Sequence, residues 1–135
     1  MGETMPSENE WIIMEVLWKN EKPLTATEII AHLKGIKDVS PKTIRVLINR
    51  LLKKDIIGYT VDEHDSRVYH YYAVKTREAC LAEKSERFLN SYFNGNPLGM
   101  VASFVQNERF TREQLDELIG ILESGKEQKD GKQHE

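Results

Sequence analysis

The sequence predicts a mainly α-helical chain with one small β element, and three observations carry that prediction. Apolar residues recur at helical spacing along most of the chain, whereas between Gly58 and Val74 the period drops to two. Three of the helical stretches also open on a Ser or Thr with Glu or Gln three residues later: Ser7 and Glu10, Thr25 and Glu28, Thr111 and Gln114. With 135 residues, 39% of them hydrophobic and 30% charged, the chain has room for one ordinary domain or two small ones.

The first helix starts at the Ser7 capping box, carries Trp11, Met14, Leu17 and Trp18 along one side, and stops between Asn20 and Pro23. The second starts at Thr25, places Ala26, Ile29, Ile30 and Leu33 on one face, and ends at Gly35. A third follows after only Ile36 to Val39. Ser40 suits its N-cap, Pro41 suits the first helical position because the N–H it lacks has no partner there, and Ile44, Leu47, Ile48 and Leu51 form its apolar stripe. The opposite face carries Lys42, Arg45, Val46, Asn49 and Lys53, with Thr43 in the first turn and Arg50 at the border.

Charge is concentrated on that third helix. Lys37 to Lys54 holds six Lys and Arg against one Asp, a local net of +5 in a chain whose net is −3. Residues 1–75 are balanced, with 11 basic and 11 acidic side chains, so residues 76–135, with 8 and 11, carry the acidity. An isolated cationic helix face is more often mere solvation. Here its neighbours matter: a short helix, a tight connection and a longer basic helix is the helix-turn-helix order, in which the second member lies in the DNA major groove. Ser40, Lys42, Thr43, Arg45, Val46, Asn49, Arg50 and Lys53 are therefore candidate DNA-binding residues. Thr25 and Thr27, opening the preceding helix, are candidates for holding a phosphate, beside the simpler capping role of Thr25.

After Gly58, Tyr59 and Val61 lead into the polar turn Asp62 to Ser66, and Val68, His70, Tyr72 and Val74 then alternate with Arg67, Tyr69, Tyr71 and Ala73. Helices followed by one hairpin make a winged helix. Arg67 is the single cation of the wing and a further candidate contact; Asp62, Glu63 and Asp65 beside it predict a modest contribution. Residues 69–72 are read as packing rather than base stacking.

Helical periodicity returns from Thr76. Leu81, Phe88, Leu89, Tyr92 and Phe93 share one side; Asn96 and Pro97 open a helix with Leu98, Val101 and Val105; Thr111 opens another with Leu115, Leu118, Ile119 and Leu122, and Phe110 and Leu115 are spaced as a hydrophobic staple. These stripes exceed what such short helices can bury against themselves, which predicts a homodimer with a self-complementary interface. The expected organisation is a DNA-binding domain over 1–75, a helical dimerisation domain over 76–123, and a tail over 124–135 that lacks apolar residues and is expected to be disordered.

Several classes are disfavoured. There is no signal-peptide pattern and no apolar run of membrane-spanning length, so a cytoplasmic protein without membrane insertion is expected. His32, His64, His70 and His134 lack ligand spacing and Cys80 is single, so neither a metal site nor an internal disulfide is expected, and no cofactor motif appears. A phosphate-binding Gly-rich loop and a nucleophile with nearby His and acid are also missing, so the chain reads as no enzyme. The remaining alternative is a winged helix that docks another protein without binding DNA.

The stretch Trp11 to Trp18, the Thr-Ala-x-Glu-Ile start at Thr25, Val-Ser-Pro-Lys-Thr-Ile-Arg-x-Leu-Ile-x-Arg-Leu from Val39 to Leu51, Lys-Lys-x-Ile-Ile-Gly from Lys53 to Gly58, and Phe-Leu-Asn from Phe88 resemble the penicillinase repressor family of BlaI and MecI type. The likeness spans about Glu10 to Leu122. It implies a winged-helix homodimeric repressor on an inverted-repeat operator, relieved by proteolysis that a membrane sensor triggers, usually over genes for β-lactam resistance. By position it assigns DNA contacts to Ser40, Lys42, Thr43, Arg45 and Arg50. The bond cleaved in the best-known members, Asn-Phe, falls on Ser103 and Phe104 here. The paired Cys-x-Cys motifs of the copper-responsive relatives have no counterpart.

Overall fold

The computed structural model describes residues 5–133 and divides into two compact units, one running to Arg87 and the other from Phe88. The boundary falls inside a helix, twelve residues beyond the expected one at 75. In order, the elements are α1 (Glu8–Lys19), α2 (Ala26–Leu33), α3 (Pro41–Lys53), β1 (Ile57–Val61), β2 (Tyr69–Ala73), α4 (Arg77–Phe93), α5 (Pro97–Gln106) and α6 (Arg112–Gln133).

Each of the three capping boxes forms. Ser7 Oγ accepts from Glu10 N at 3.2 Å while Glu10 Oε1 accepts from Ser7 N at 3.0 Å, and Thr25 with Glu28 and Thr111 with Gln114 repeat the exchange. Removing such a cap costs about 1 kcal/mol, so these residues set where the helices begin. Helix α3 ends where Asp55 takes φ 60°, which turns the chain from the helix axis into β1.

The core of the first unit gathers Ile13, Met14 and Leu17 from α1, Ile29 and Leu33 from α2, and Ile44, Leu47, Ile48 and Leu51 from α3, closed by Ile56 and Ile57 and by Tyr71 of β2. The α3 stripe is the one the periodicity predicts. Helix α1 differs: Ile13, Met14, Val16 and Leu17 are buried, while Trp11 and Trp18 stay half-buried with their rings edge-on at 5.1 Å. Both indoles keep a polar partner, Trp11 Nε1 donating to Glu15 Oε1 and Trp18 Nε1 to the Lys75 carbonyl, each at 2.9 Å. An indole N–H seeks such a partner, which holds the rings at the rim rather than the centre.

The hairpin is antiparallel with Tyr59 opposite Tyr71 and Val61 opposite Tyr69. Leu24 adds a bridge on the other side of β2, its N–H donating to Tyr71 O at 2.9 Å and its carbonyl accepting from Tyr71 N at 2.7 Å. This third sheet partner has no periodicity of its own to announce it. Gly58 lets the Tyr72 ring lie across it, since a Cβ there would come within 2.6 Å of Tyr72 Oη and displace that exposed side chain.

In the second unit no described residue from Phe88 onward is buried. Helix α6 runs on to Gln133, whereas composition predicts disorder from Ser124; residues 134–135 lie outside the described residues. Lys, Glu and Gln are good helix formers, and extending a helix that already exists adds a hydrogen bond per residue without a new nucleus. Among the described residues no helix is long and apolar enough to cross a membrane, and no group of His, Cys, Asp and Glu is arranged to hold a metal ion.

Candidate nucleic-acid interface

Helix α3 presents two faces of opposite character. Ile44, Leu47, Ile48 and Leu51 are buried, while Lys42, Thr43, Arg45, Val46, Asn49, Arg50 and Lys53 are exposed. Ser40 Oγ accepts from Thr43 N at 3.1 Å and lies 2.9 Å from Thr43 Oγ1, so the cap also orients the first-turn hydroxyl. Its first turn holds no acid, and Lys42, Arg45, Arg50 and Lys53 make no ion pair among the described residues. Four cations on a rigid surface without counter-charge attract a polyanion. The one apolar side chain among them is Val46, 42% exposed.

The hairpin root adjoins this helix. Burial raises the pKa of the Tyr71 phenol, and the Arg45 guanidinium pulls the other way, which places Arg45 within electrostatic reach of the wing. Along the same sheet face Tyr59 and Tyr69 stack at 4.3 Å, both partly exposed. Tyr69, one of the residues 69–72 read as packing, lies with its ring on Tyr59, and the register sets positions 59, 61, 69 and 71 on one face.

At the wing tip Arg67 is engaged. Its Nε donates to Asp65 Oδ1 at 3.1 Å and its Nη2 to Asp65 Oδ2 at 3.2 Å, and this bonding holds the Asp65 carboxyl below its ordinary pKa. Asp62 is likewise held down, chiefly by His70 Nε2 at 2.8 Å and then by the His64 N–H. The tip is thus a predominantly acidic loop whose one cation pairs with Asp65 while staying exposed to solvent.

The α2 N-terminus is also occupied. Thr25 Oγ1 caps Glu28 N, and Glu28 Oε1 accepts from Thr25 N, which is the largest of the influences lowering the Glu28 pKa. The capping box thus takes the N–H groups of Thr25 and Glu28, while the Thr27 hydroxyl is exposed and makes no hydrogen bond among the described residues.

The residues expected to dimerise belong to other helices. In the second unit Phe88 packs its ring 5.1 Å from Tyr92 and 5.9 Å from Phe93, yet Tyr92 is 73% exposed and Leu98 74%. Ile119 and Leu122 are exposed too, and Leu89, Val101, Leu115 and Leu118 only half-buried. Val105 is exposed, and Leu81, on the part of α4 within the first unit, is exposed as well. Ser103 and Phe104 sit inside α5, where Ser103 O accepts from Asn107 N at 3.1 Å and from Asn107 Nδ2 at 2.8 Å.

A pairing that the sequence pattern does not announce ties α1 to the end of α3. Lys54 Nζ donates to Glu10 Oε1 at 2.7 Å and to the Met5 carbonyl at 3.2 Å, with Glu10 almost fully buried. The capping box accounts for Glu10 locally and hides this longer-range role.

The profile of the penicillinase repressor family matches residues 6–124. The methicillin resistance regulatory protein MecI of Staphylococcus aureus strain N315 is 34% identical over 116 residues, covering 86% of this chain and 91% of MecI. A penicillinase repressor of Bacillus licheniformis is 32% identical over 123 residues, 91% of this chain and 93% of that one. Among solved structures, the DNA-binding domain of the repressor BlaI aligns with a TM-score of 0.47 at 26% identity, covering 57% of this chain and 90% of that domain. With a profile match over most of its length and relatives above 30% identity along nearly their whole chains, the protein belongs to the penicillinase repressor family.

Proposed function

We propose that the chain is a transcriptional repressor that binds an inverted-repeat DNA operator as a homodimer, reading each half-site with α3. The observation that carries this is the exposed face of α3, basic and free of acids, on a helix whose other face is locked in the core. Lys42 and Thr43 stand at the N-terminal end of α3, the end that meets base edges in helix-turn-helix proteins; Arg45, Asn49, Arg50 and Lys53 lie further along, toward phosphates. Val46 faces the groove as an apolar contact, and Ser40 holds Thr43 in place. Exposed Thr27 is a further candidate for a phosphate, with Thr25 acting as a cap.

Alanine at Lys42 or Thr43 costs about 1–3 kcal/mol on the operator and little on random duplex. Alanine at Arg45 or Arg50 weakens both alike, and each phosphate interaction removed reduces the salt dependence by about 0.9 log–log units. Arg67→Ala has a modest effect, because the acidic side chains of Asp62, Glu63 and Asp65 around it oppose a phosphate. Binding titrations at several salt concentrations, on operator and scrambled duplex, check all five. Parental operator binding by the four α3 variants would overturn the reading.

Release from DNA is proposed to follow a cut in the dimerising half, with Ser103–Phe104 in α5 as the candidate bond. A protease that takes an extended substrate must first unwind α5 and break both hydrogen bonds to Ser103 O. Co-expression with the membrane sensor under inducer, followed by mass spectrometry, should show fragments ending at Ser103; full induction with an intact chain would exclude this route.

A further inference from the structure

The first unit contains a half-open cleft of about 570 Å³ between α1 and the turn that joins α2 to α3, away from the basic face of α3. Its volume falls in the range of small-molecule sites, roughly 300–1,000 Å³. Trp11, Ile12, Val16, Leu33 and Ile36 supply apolar walls. Ile36 is 72% exposed, and it follows Gly35, whose φ of +82° shapes that turn. An apolar side chain held out on a cleft wall leaves water only when something fills the cleft.

The rim supplies the polarity. Lys19 and Lys37 line the cleft and make no direct ion pair among the described residues, and His32 stands near them. The one acid, Glu15, is already engaged: its Oε1 accepts from Trp11 Nε1 at 2.9 Å and from Arg77 Nε at 3.2 Å. The Asn20 amide is likewise committed, its Nδ2 donating to Val16 O at 2.7 Å. The rim is therefore net positive, with Lys19 and Lys37 against one acid that Trp11, Arg77 and the nearby Lys19 charge already engage, and the walls offer a flat apolar body a place beside an indole.

We propose that this cleft binds a small aromatic carboxylate, its ring against Trp11 and Ile36 and its carboxylate toward Lys19 and Lys37. A neutral aromatic ligand would gain nothing from the two lysines, and an inorganic anion would leave the apolar walls wet. This site is separate from the DNA-reading helix, so its occupancy is measurable without any duplex present.

The test uses the full-length protein and 2-naphthoate as probe, with the neutral 2-naphthamide as control, followed by calorimetry and by NMR of the Trp11 indole N–H and the Ile36 methyls. The expected result is saturable binding of one naphthoate per chain with both groups shifting, binding of the amide at least ten-fold weaker, and a loss of about ten-fold in the Lys19→Ala, Lys37→Ala double variant. Ile36→Asp, at an exposed position that leaves the core intact, should abolish binding; unchanged melting of each variant confirms that its fold is retained. Absence of saturation at millimolar probe, equal binding of the amide, or shifts confined to α3 or to residues beyond Phe88 would each overturn the proposal. Failure of DNA binding leaves this result untouched, since no step of it involves DNA.

Discussion

A chain ending at Arg87 should sediment as a monomer and bind the operator about 10²–10⁴-fold more weakly than the full-length protein. The core of the first unit draws on residues from Ile13 to Tyr71 and contains nothing from beyond Arg87, so the truncated form keeps its reading helix and its fold. What it loses is the second half-site. When two reading helices are linked, binding of the second becomes intramolecular, and its effective concentration supplies that factor without any added interaction. The link is argued from the second unit, whose helices expose Tyr92, Leu98, Ile119, Ile121 and Leu122 at more than half of their surface and bury no described residue. A stable dimer needs about 800 Å² from each partner, an area that large apolar side chains on three helices can furnish. Sedimentation and operator titration of both lengths check the expectation. A full-length chain that stays monomeric at tens of micromolar removes its basis.

The second large effect concerns the fold rather than the operator. Lys54→Ala should destabilise the protein by about 3 kcal/mol, because it strands the Glu10 carboxylate, 2% exposed, without the ammonium 2.7 Å away. Burial alone would raise the Glu10 pKa, but Lys54 and Ser7 outweigh it and hold the carboxyl below its ordinary value of 4.5. The sign of the pH dependence follows. With the folded pKa depressed, this contribution is complete above about pH 4.5, the value in the unfolded chain, and is lost as pH falls toward and through the folded one. Urea melts at pH 7 and pH 3 should therefore show a gap between parent and Lys54→Ala that narrows in acid. The double variant Glu10→Gln, Lys54→Met should recover most of the loss, since removing both charges leaves none stranded. A gap that is unchanged at pH 3 would show that the loss comes from Lys54 packing instead.

The sequence alone determined the helices, their starts and the two-faced α3. These features depend on interactions within four residues: a hydroxyl at the N-cap, an acid or amide three positions on, and a stripe repeating every third or fourth residue. The exposed and buried sets of α3 match its periodicity because a helix surrounded by others on one side has no freedom to rotate. The tail shows the limit of composition. Lack of apolar residues predicts the absence of packing, which holds from Ser124 through Gly131, where every residue is exposed, but does not forbid a helix that merely continues α6.

Only the tertiary structure decided what depends on distant pairs. Glu10 looks complete as a capping residue until Lys54 arrives from 44 positions away, and Leu24 becomes a sheet partner only because Tyr71 lies beside it. Arg67 counts as a lone wing cation in the sequence, and the turn brings Asp65 against it as an exposed ion-pair partner. The tyrosines divide into buried Tyr71 and exposed Tyr59 and Tyr69 by how far each lies from the helices under the sheet, a distance that the period of two does not contain. Local patterns set which face of an element is apolar, while charge balance and burial depend on what the folded chain places opposite that face.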